Sequence, residues 1–534
     1  MEKNQINRTF FRDLLGLAMA AILVSLPSLF IQMVPGYMDA EYYYLGGINL
    51  FHGEGFFENV VWNTLNLPDS LPTASHLYWM PLPSILASWG LWLFQSESYV
   101  YARLFFIVFS AMIPVLTYGF AYQLSRSRAK ALTAGFMALF SGVYLVYLSL
   151  VETFSPYMLF GGLIFYMVYL FFEHRLKLHP GLFFAGSGIL CGLMHLSRAD
   201  GILWLGFITL VWIYQFIQVK NWKQGLVSGG CLLAGYLLIM LPWYWRNILL
   251  FNSLFPPGNE NTLFLLNYND TFLYPAGQIT LQRWLDSGWQ SILQVRAEAI
   301  GANLLTAWMI HFGIILLPFF ILYVVENRKS GFMRWVLLCY LVQFLFMSVL
   351  FPFAGTRGGF FHSGSAFQIY FWVGSAIGLF SAIRRLMVRR HQTDPRIVGL
   401  FTTGVLMILL ISAITLVQQK VFGTPWNKTT WLQSYLDYKQ LDDALKERHI
   451  PKDAAVMINN PPGFYLASQR LAVVVPNASV EGVLALADQY QVTYVILDKH
   501  IVPELASLYQ HETSVEGLSY LFSAGGFKIY RVDP

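Results

Sequence analysis

The run LLGLAMAAILVSLPSLFIQMVPGYM, residues 14–38, is the first stretch of this chain that lacks Asp, Glu, Lys and Arg and is long enough to cross a bilayer. Lys3, Arg8 and Arg12 precede it, and no small-residue cleavage site is present. We therefore predict an uncleaved first transmembrane helix instead of a signal peptide. Asp39 and Glu41 follow at once, which places two carboxylates at the predicted membrane boundary.

The whole chain has the composition of a polytopic membrane protein. Of its 534 residues, 56% are hydrophobic and 12% are charged, and the charged share is about half that of a soluble domain. The mean hydropathy is +0.51. Cys191, Cys231 and Cys339 all lie inside apolar runs, which argues against a disulfide framework or a thiolate metal site. The net charge of +5 comes mostly from basic residues between apolar runs, so it reports membrane topology and predicts no nucleic-acid partner.

Runs without charged side chains define the candidate membrane spans. They cover residues 14–38, 77–96, 104–125, 131–151, 153–172, 180–197, 201–219, 224–245, 299–325, 335–356, 358–383 and 397–419. From residue 126 onward every second loop is basic, as expected of cytoplasmic loops. These loops contain Arg126, Arg128 and Lys130; Arg175 and Lys177; Lys220 and Lys223; Arg328, Lys329 and Arg334; and Arg384, Arg385, Arg389, Arg390 and Arg396. If the N-terminus is also cytoplasmic, an even number of transmembrane passes must precede residue 126. Three candidate runs precede it, so one of them does not cross the membrane.

The run 77–96 is the candidate to remove, because Pro81 and Pro83 interrupt its beginning. We interpret it as an interfacial or re-entrant helix, which leaves about 11 transmembrane helices. A count of 12 or 13 stays open. So does a different set of eleven, in which 77–96 spans and 180–197 with 201–219 forms one broken helix. The predicted fold class is a polytopic α-helical membrane protein with interfacial helices in its outer loops, at 39–76 and about 246–298.

The composition changes after Lys420. Residues 1–420 are predicted to form the transmembrane domain, and residues 421–534 a small α/β domain outside the cytoplasm, in a plasma-membrane protein whose N-terminus is cytoplasmic. Strands are predicted at 454–459, 471–475, 492–497 and 527–532, and helices at 480–489 and 503–509. The domain has no glycine-rich phosphate loop, so the sequence predicts no nucleotide site there.

Three acids and one histidine of the predicted outer face are candidates for proton transfer or acceptor positioning. A carboxylate partly desolvated at a membrane edge can serve as a general base, which suits Asp39 and Glu41, although acids at this place also simply begin an amphipathic helix. Glu152 is a candidate second acid. His76 is a candidate donor or acceptor, although a lone interfacial histidine is more often only hydrogen-bonded.

Arginines at the ends of apolar runs are candidates for binding a phosphate, because their forked donors meet two oxygens at once. Arg198 and Asp200 lie in a tight turn, where they are either functional or an internal pair that locks the hairpin. Arg246 and Arg357 end two further runs, and Arg357 is followed closely by His362. The alternative for both is contact with lipid headgroups.

Metal binding is weakly indicated. No His, Cys or Glu spacing makes a zinc site, and no cofactor is assigned. Asp39-Ala-Glu41 is superficially similar to acid pairs that hold a divalent ion, so a divalent metal stays open.

The order of these motifs resembles the membrane-embedded C-type glycosyltransferases, particularly bacterial relatives of protein O-mannosyltransferases and lipid A aminoarabinose transferases. The matching stretches, within roughly residues 10–420, are Asp39-Ala-Glu41, Tyr78-Trp-Met-Pro-Leu-Pro83, Tyr101-Ala-Arg-Leu104, Arg198-Ala-Asp-Gly201 and Pro242-Trp-Tyr-Trp-Arg-Asn247. The family's usual acid pair is adjacent, whereas Ala40 separates the two acids here, so the partner role does not carry over to Glu41.

The resemblance implies an inverting glycosyltransferase that takes a hexosyl or pentosyl group from a polyprenyl-phosphate-linked sugar. The acceptor would be a lipid, glycan or protein at the outer face, with membrane lipids as further partners. It also implies that Asp39 deprotonates the acceptor, and we assign phosphate neutralisation to Arg198, Arg246, Arg357 and His362. Two alternatives stay open: a lipid-phosphate or glycolipid transporter or flippase, and a non-catalytic assembly protein.

Overall fold

The structure, a computed structural model, describes residues 2–175, 179–218, 221–423 and 430–533, with side chains from residue 8 onward. Lys177 and Lys220 of the basic loops lie outside these ranges. The α-helices are α1 (Glu2–Ile31), α2 (Met38–His52), α3 (Leu82–Phe94), α4 (Tyr99–Ala102), α5 (Leu104–Ser125), α6 (Arg128–Leu139), α7 (Phe154–Phe172), α8 (Pro180–Ser197), α9 (Ile202–Gln218), α10 (Trp222–Phe251), α11 (Leu281–Asp286), α12 (Trp289–Thr306), α13 (Leu317–Asn327), α14 (Gly331–Leu345), α15 (Pro352–Ala354), α16 (Phe360–Gly364), α17 (Gln368–Arg389), α18 (Arg396–Val417), α19 (Thr430–Glu447), α20 (Pro461–Ser468), α21 (Val480–Gln489) and α22 (Ala506–His511). The strands are β1 (Phe57–Glu58), β2 (Val60–Val61), β3 (Thr73–Ala74), β4 (Ala455–Met457), β5 (Ala472–Val473), β6 (Val492–Leu497), β7 (Leu518–Ala524) and β8 (Phe527–Val532).

Within the described residues, nine helical segments are long and apolar enough to cross a membrane. They are Arg8–Ile31, Leu104–Ser125, Phe154–Phe172, Pro180–Ser197, Ala199–Gln218, Trp222–Phe251, Gly331–Leu350, Pro352–Arg389 and Arg396–Phe422. Each corresponds to one of the eleven spans expected from the sequence. The polytopic helical fold class is therefore confirmed, and the chain is a multi-pass membrane protein.

The other two expected spans are interrupted. In 131–151, α6 ends at Leu139 and a 3₁₀ turn occupies Gly142–Val146. In 299–325, α12 ends at Thr306, and Gly313 and Ile314 take positive φ angles before α13 begins. Hydropathy cannot distinguish these segments from continuous helices, because the breaks lie in backbone angles and not in polarity.

The run 77–96, which we removed from the spans, contains the short helix α3. Pro81 caps its beginning and Pro83 lies in its first turn, where a missing N–H breaks no helical hydrogen bond. With 13 residues, α3 is about 20 Å long, which is shorter than a hydrocarbon core of about 30 Å. Its position at the interface stays a prediction.

The residues group into two compact units. The first contains residues 1–31, 103–246 and 298–427, and the second contains 32–102, 247–297 and 428–534. This grouping differs from the single sequence boundary at 420, because two segments of the predicted outer loops belong with the C-terminal part.

A buried arginine, Arg103, connects two parts of the first unit near α1. Arg103 has no exposed surface, and its guanidinium donates to the backbone oxygens of Ser28 and Ser149 at 2.9 and 2.7 Å. It also donates to the Ser28 and Ser149 hydroxyls. A buried charge requires such a shell of acceptors, so the arginine connects α1 to the segment before α7.

The second unit contains a six-stranded sheet in the order β2-β5-β4-β6-β8-β7. The first four strands are parallel, and β8 joins β6 and β7 in antiparallel pairs. The predicted α/β domain is present, but β2 comes from the segment after α2, so the sheet is not built from residues 421–534 alone. Strand β7 was not predicted, although Gly525-Gly526 between two apolar stretches is a hairpin signal.

Candidate active site

Helix α2 positions the two acids of Asp39-Ala-Glu41. Both lie in its first turn, where negative charge interacts favourably with the helix dipole. Asp39 is partly exposed, whereas Glu41 is 2% exposed. Residues two apart do not share a helix face, so the two carboxylates have different surroundings.

Glu41 faces helix α20. Its Oε2 accepts a hydrogen bond of 2.9 Å from the Asn460 side chain, and Asn460 Oδ1 accepts from the Gly463 N–H at the start of α20. A Cβ built on Gly463 would lie 2.7 Å from Glu41 Oε2. Glycine is therefore needed for the close approach of α2 and α20, and Glu41 is part of this contact.

Burial raises the pKa of Glu41 to about 7, with a smaller contribution from Asp39, against the opposing hydrogen bond from Asn460. Below that pH the side chain is a neutral acid, which loses less than a carboxylate by leaving water. Glu41 therefore packs between α2 and α20, and the charge of its side chain depends on pH near neutrality.

Replacing Glu41 by Gln is expected to remove a pH dependence of stability. The pKa is about 4.5 in the unfolded chain and about 7 in the folded one, so the acid's contribution is complete at low pH and is lost as the pH rises through about 7. Glu41→Gln stays neutral and should therefore exceed the wild type in stability at pH 8 by up to about 3 kcal/mol. Thermal unfolding between pH 4 and 8 measures this, with the exposed Glu54→Gln as the control. Equal pH profiles for Glu41→Gln and the wild type would contradict it.

His76 is enclosed by hydrogen bonds within the second unit. Ser84 Oγ donates to the Tyr43 carbonyl, so it accepts from His76 Nε2 at 2.9 Å. The other ring nitrogen, Nδ1, is therefore the acceptor for Ser75 Oγ at 2.7 Å. The backbone N–H of His76 donates to Tyr42 Oη at 2.6 Å. These bonds connect α2, α3 and the loop between them.

Arg198 and Asp200 form an ion pair in the first unit. Arg198 Nε lies 2.8 Å from Asp200 Oδ1, and their side chains are 16% and 6% exposed. Gln343 donates to Asp200 Oδ2 at 3.1 Å, and Arg198 Nη2 donates to the Gly359 carbonyl at 3.4 Å. The arginine is thus held with its charge partly accessible at the end of α8.

Glu152 and His362 are brought together in the same unit. His362 Nδ1 lies 3.7 Å from Glu152 Oε1 and 3.1 Å from Thr153 Oγ1. The imidazole stacks on Phe154 with ring centroids 4.0 Å apart. Arg198 contacts Gly359, which lies three residues before His362. The Arg198–Asp200 pair and the Glu152–His362 pair therefore both lie beside the segment 359–362.

Arg246 and Arg357 have different settings. The guanidinium of Arg246 lies 4.5 Å from the centre of the Trp243 ring, a cation–π contact on α10. Arg357 is exposed in an irregular segment, where Gly358 takes a φ of +112°. Only a residue without Cβ readily adopts that angle, so Gly358 sets the bend that follows Arg357.

A buried histidine–tyrosine network in the first unit was not predicted from the sequence. His195 is buried and its Nδ1 lies 2.6 Å from Tyr236 Oη, which in turn lies 2.7 Å from Tyr244 Oη. The available signal was a histidine inside an apolar run, since ionisable residues in spans are costly and need partners.

A divalent metal does not fit Asp39-Ala-Glu41. A metal-binding carboxylate must be ionised, whereas Glu41 is hydrogen-bonded to Asn460 and its pKa is raised. Across the described ranges, no group of three or more His, Cys, Asp and Glu side chains is placed to hold a metal ion. We therefore derive no step through a metal.

The fold is shared with solved membrane proteins. The oligosaccharyltransferase of Archaeoglobus fulgidus in its apo form is 14% identical, with a TM-score of 0.59 over 94% of this chain and 70% of that one. The AglB structure from the same organism, in complex with an inhibitory peptide and a dolichol-phosphate, has a TM-score of 0.58 at 14% identity, over 97% and 74%. ArnT from Cupriavidus metallidurans, bound to undecaprenyl phosphate, has a TM-score of 0.55 at 11% identity, over 96% and 97%. No protein-family model and no curated protein sequence matches the chain.

The chain therefore has the fold of the membrane-embedded C-type glycosyltransferases. The resemblance stated from the sequence motifs is confirmed for the fold.

Proposed function

We propose that this protein is a glycosyltransferase that moves a sugar from a polyprenyl-phosphate donor to an acceptor at the outer face of the membrane. The observation that carries the proposal is the shared fold over nearly the whole chain, since the matching proteins include one bound to undecaprenyl phosphate and one to a dolichol-phosphate. Arginines at the ends of the apolar helices suit such a donor, because a phosphate needs cations next to hydrocarbon.

In the proposed reaction, Asp39 accepts a proton from the acceptor's nucleophilic group. The nucleophile then attacks the anomeric carbon from the side opposite the phosphate. A new glycosidic bond forms as the bond between the anomeric carbon and the phosphate oxygen breaks, and the configuration inverts. The electron pair leaves with the polyprenyl phosphate, while Asp39 holds the proton.

Asp39 suits the role of general base better than Glu41. A base must reach the acceptor within hydrogen-bond distance, and Asp39 is partly exposed. Glu41 is enclosed against Asn460, and with a pKa raised to about 7 it is partly protonated at neutral pH.

Arg198, Arg246, Arg357 and His362 are proposed to bind or neutralise the leaving phosphate. A positive charge that is already fixed where negative charge develops in the transition state usually contributes strongly to catalysis. Arg198 supports this role best, because its pairing with Asp200 fixes it in place while leaving part of the guanidinium accessible. Glu152 is proposed to orient His362.

Purified protein incubated with a panel of polyprenyl-phosphate sugars tests the function. We expect one donor to be consumed when a lipid, glycan or peptide acceptor is present, with release of polyprenyl phosphate detected by mass spectrometry. Donor that is moved intact across proteoliposomes, without consumption, would support a transporter instead. If no donor is bound or consumed, the proposal is wrong.

A further inference from the structure

A cavity of about 340 Å³ lies in the sheet-containing second unit. It adjoins Asp498 and His500, which directly follow β6, and its other walls come from α19, α22 and the β7–β8 hairpin. The lining used below consists of Asp437, Gln440, Asp498, Lys499, His500, Tyr509 and Phe527. None of these residues has a role in the transfer reaction proposed above.

The sheet topology makes this edge a ligand-binding position. The chain runs from β4 through α20 to β5 on one side, and from β5 through α21 to β6 on the other side of β4. The connections after β4 and β6 therefore diverge at the carboxyl ends of two adjacent parallel strands. Open α/β sheets bind their ligands in the crevice at such a switch point, and the cavity lies on its β6 side, because Asp498 and His500 line it whereas the residues after β4 do not.

A larger cavity of about 520 Å³ lies at the opposite edge, beside Ala454, Leu471 and Thr493 at the starts of β4, β5 and β6. Volume alone would favour it. The amino ends of parallel strands are not where such sheets bind ligands, so position outweighs size.

The turn after β4, which does not itself line the cavity, offers no phosphate site at the switch point. A phosphate binds at a helix start through backbone N–H groups, but the first two residues of α20 are Pro461 and Pro462, which have none. The N–H of Gly463 already donates to Asn460 Oδ1. Among the described residues, two carboxylates, those of Asp437 and Asp498, line the cavity against the one ammonium group of Lys499, so the lining disfavours an anion by its balance of charge.

The same lining suits a polyhydroxylated neutral ligand. Asp498 Oδ1 accepts hydrogen bonds of 2.7 Å from both Asn459 Nδ2 and the His500 N–H, so the carboxylate has a fixed orientation. Asp437 and Gln440 lie three residues apart on one face of α19. Hydroxyl groups can donate to the carboxylates and pair with the amide of Gln440.

Two aromatic rings complete this pattern. Tyr509 and Phe527 are partly exposed at the cavity, and the Tyr509 hydroxyl is turned to the Gly526 carbonyl at 3.1 Å. Flat apolar faces beside fixed polar groups match a pyranose ring, which has hydroxyls at its rim and C–H groups on its faces. We propose that this cavity binds a neutral saccharide of one or two rings, independently of sugar transfer.

The volume sets the size of the ligand. Small-molecule pockets measure roughly 300–1,000 Å³, and 340 Å³ is near the lower limit. A peptide would instead be recognised along a groove or a strand edge. The cavity therefore fits the end or a short portion of a glycan.

Binding of neutral sugars to the full-length protein tests the inference. The protein is kept in a zwitterionic detergent or lipid nanodiscs, because maltoside and glucoside detergents carry the proposed ligand. Saturation-transfer difference NMR and calorimetry are run with glucose, galactose, mannose and their disaccharides, and with inorganic phosphate and short peptides for comparison. We expect binding of at least one neutral sugar and none of phosphate.

Tyr509→Ala should weaken this binding by about fivefold, since aromatic contacts contribute about 0.5–1.5 kcal/mol. Tyr509→Phe keeps the ring and should bind like the wild type. Thr493→Ala, at the opposite cavity, is the matched control and should also be unchanged. Thermal unfolding verifies that each variant is folded.

No neutral-sugar binding, preference for the peptides, or equal affinity in Tyr509→Ala and wild type would each overturn the inference. The binding assay contains no lipid donor, so its result does not depend on whether the protein transfers sugar. Sugar binding should persist in Asp39→Asn.

Discussion

Asp39→Asn is expected to abolish sugar transfer while the protein stays folded. The amide has nearly the same shape as the carboxylate but cannot accept the acceptor's proton, and general-base catalysis contributes typically about 10²–10⁴-fold in rate. Asp39 is partly exposed in the first turn of α2, so its replacement leaves no buried charge without compensation. Initial rates of donor consumption and thermal unfolding measure the two effects.

Glu54→Gln is the matched control for Asp39→Asn, because Glu54 is an exposed carboxylate two residues after α2 ends. It should transfer sugar at the wild-type rate. Donor binding should also be nearly unchanged in Asp39→Asn, since the general base acts on the acceptor. Full turnover by the Asp39→Asn variant would remove the assignment of Asp39 as the base, without excluding a transferase.

The fold was predictable where one stretch of chain determines it. In the parts of the chain that the structure describes, nine membrane-length helices follow directly from runs of apolar residues, since burial of backbone in lipid requires a helix. The interruptions near Gly142 and Gly313 depend on local backbone angles, and β2 is a strand only because it pairs with β5. Two residues at 60–61 carry too little pattern to indicate such a partner.

In the candidate site too, contacts between residues close in sequence were predictable, whereas contacts between distant residues were not. Arg198 and Asp200 are two residues apart, so their pairing was one of the two readings available from sequence. The contact of Glu41 with Asn460 joins positions 419 residues apart, and that of Asp200 with Gln343 joins positions 143 apart. Composition and spacing identify which residue types are costly to bury, but only the tertiary structure supplies their distant partners.

The long-range contact of Glu41 with Asn460 gives the two acids of α2 different surroundings. The acid that is enclosed, Glu41, connects α2 to α20, and the acid that is partly exposed, Asp39, is the proposed base. Loss of the Glu41 contact would alter the setting of α2 and therefore the position of Asp39. Because Ala40 lies between them, the two carboxylates lie on different faces of α2. In an adjacent pair, the angle between the two side chains around the helix would be different.

Removing the charge of Arg198 is expected to have two separable effects. Arg198→Gln alone leaves the buried Asp200 carboxylate without its cation and should destabilise the protein by about 3–5 kcal/mol. The double variant Arg198→Gln/Asp200→Asn keeps neutral groups that can hydrogen-bond to each other, and it should recover most of that stability. Thermal or denaturant unfolding of the two variants separates the ion pair's structural role from any role in binding.

The double variant then tests phosphate binding by Arg198 in a folded protein. A hydrogen bond to a charged group contributes about 1.5–3 kcal/mol, so the dissociation constant for polyprenyl phosphate should rise by about tenfold or more. The control is Arg128→Gln/Asp13→Asn, because that pair in the same unit has a comparable Nε–Oδ2 distance of 2.6 Å and no proposed contact with the donor. If both double variants bind polyprenyl phosphate like the wild type, Arg198 only locks the turn between α8 and α9. The leaving phosphate would then depend on Arg246 and Arg357.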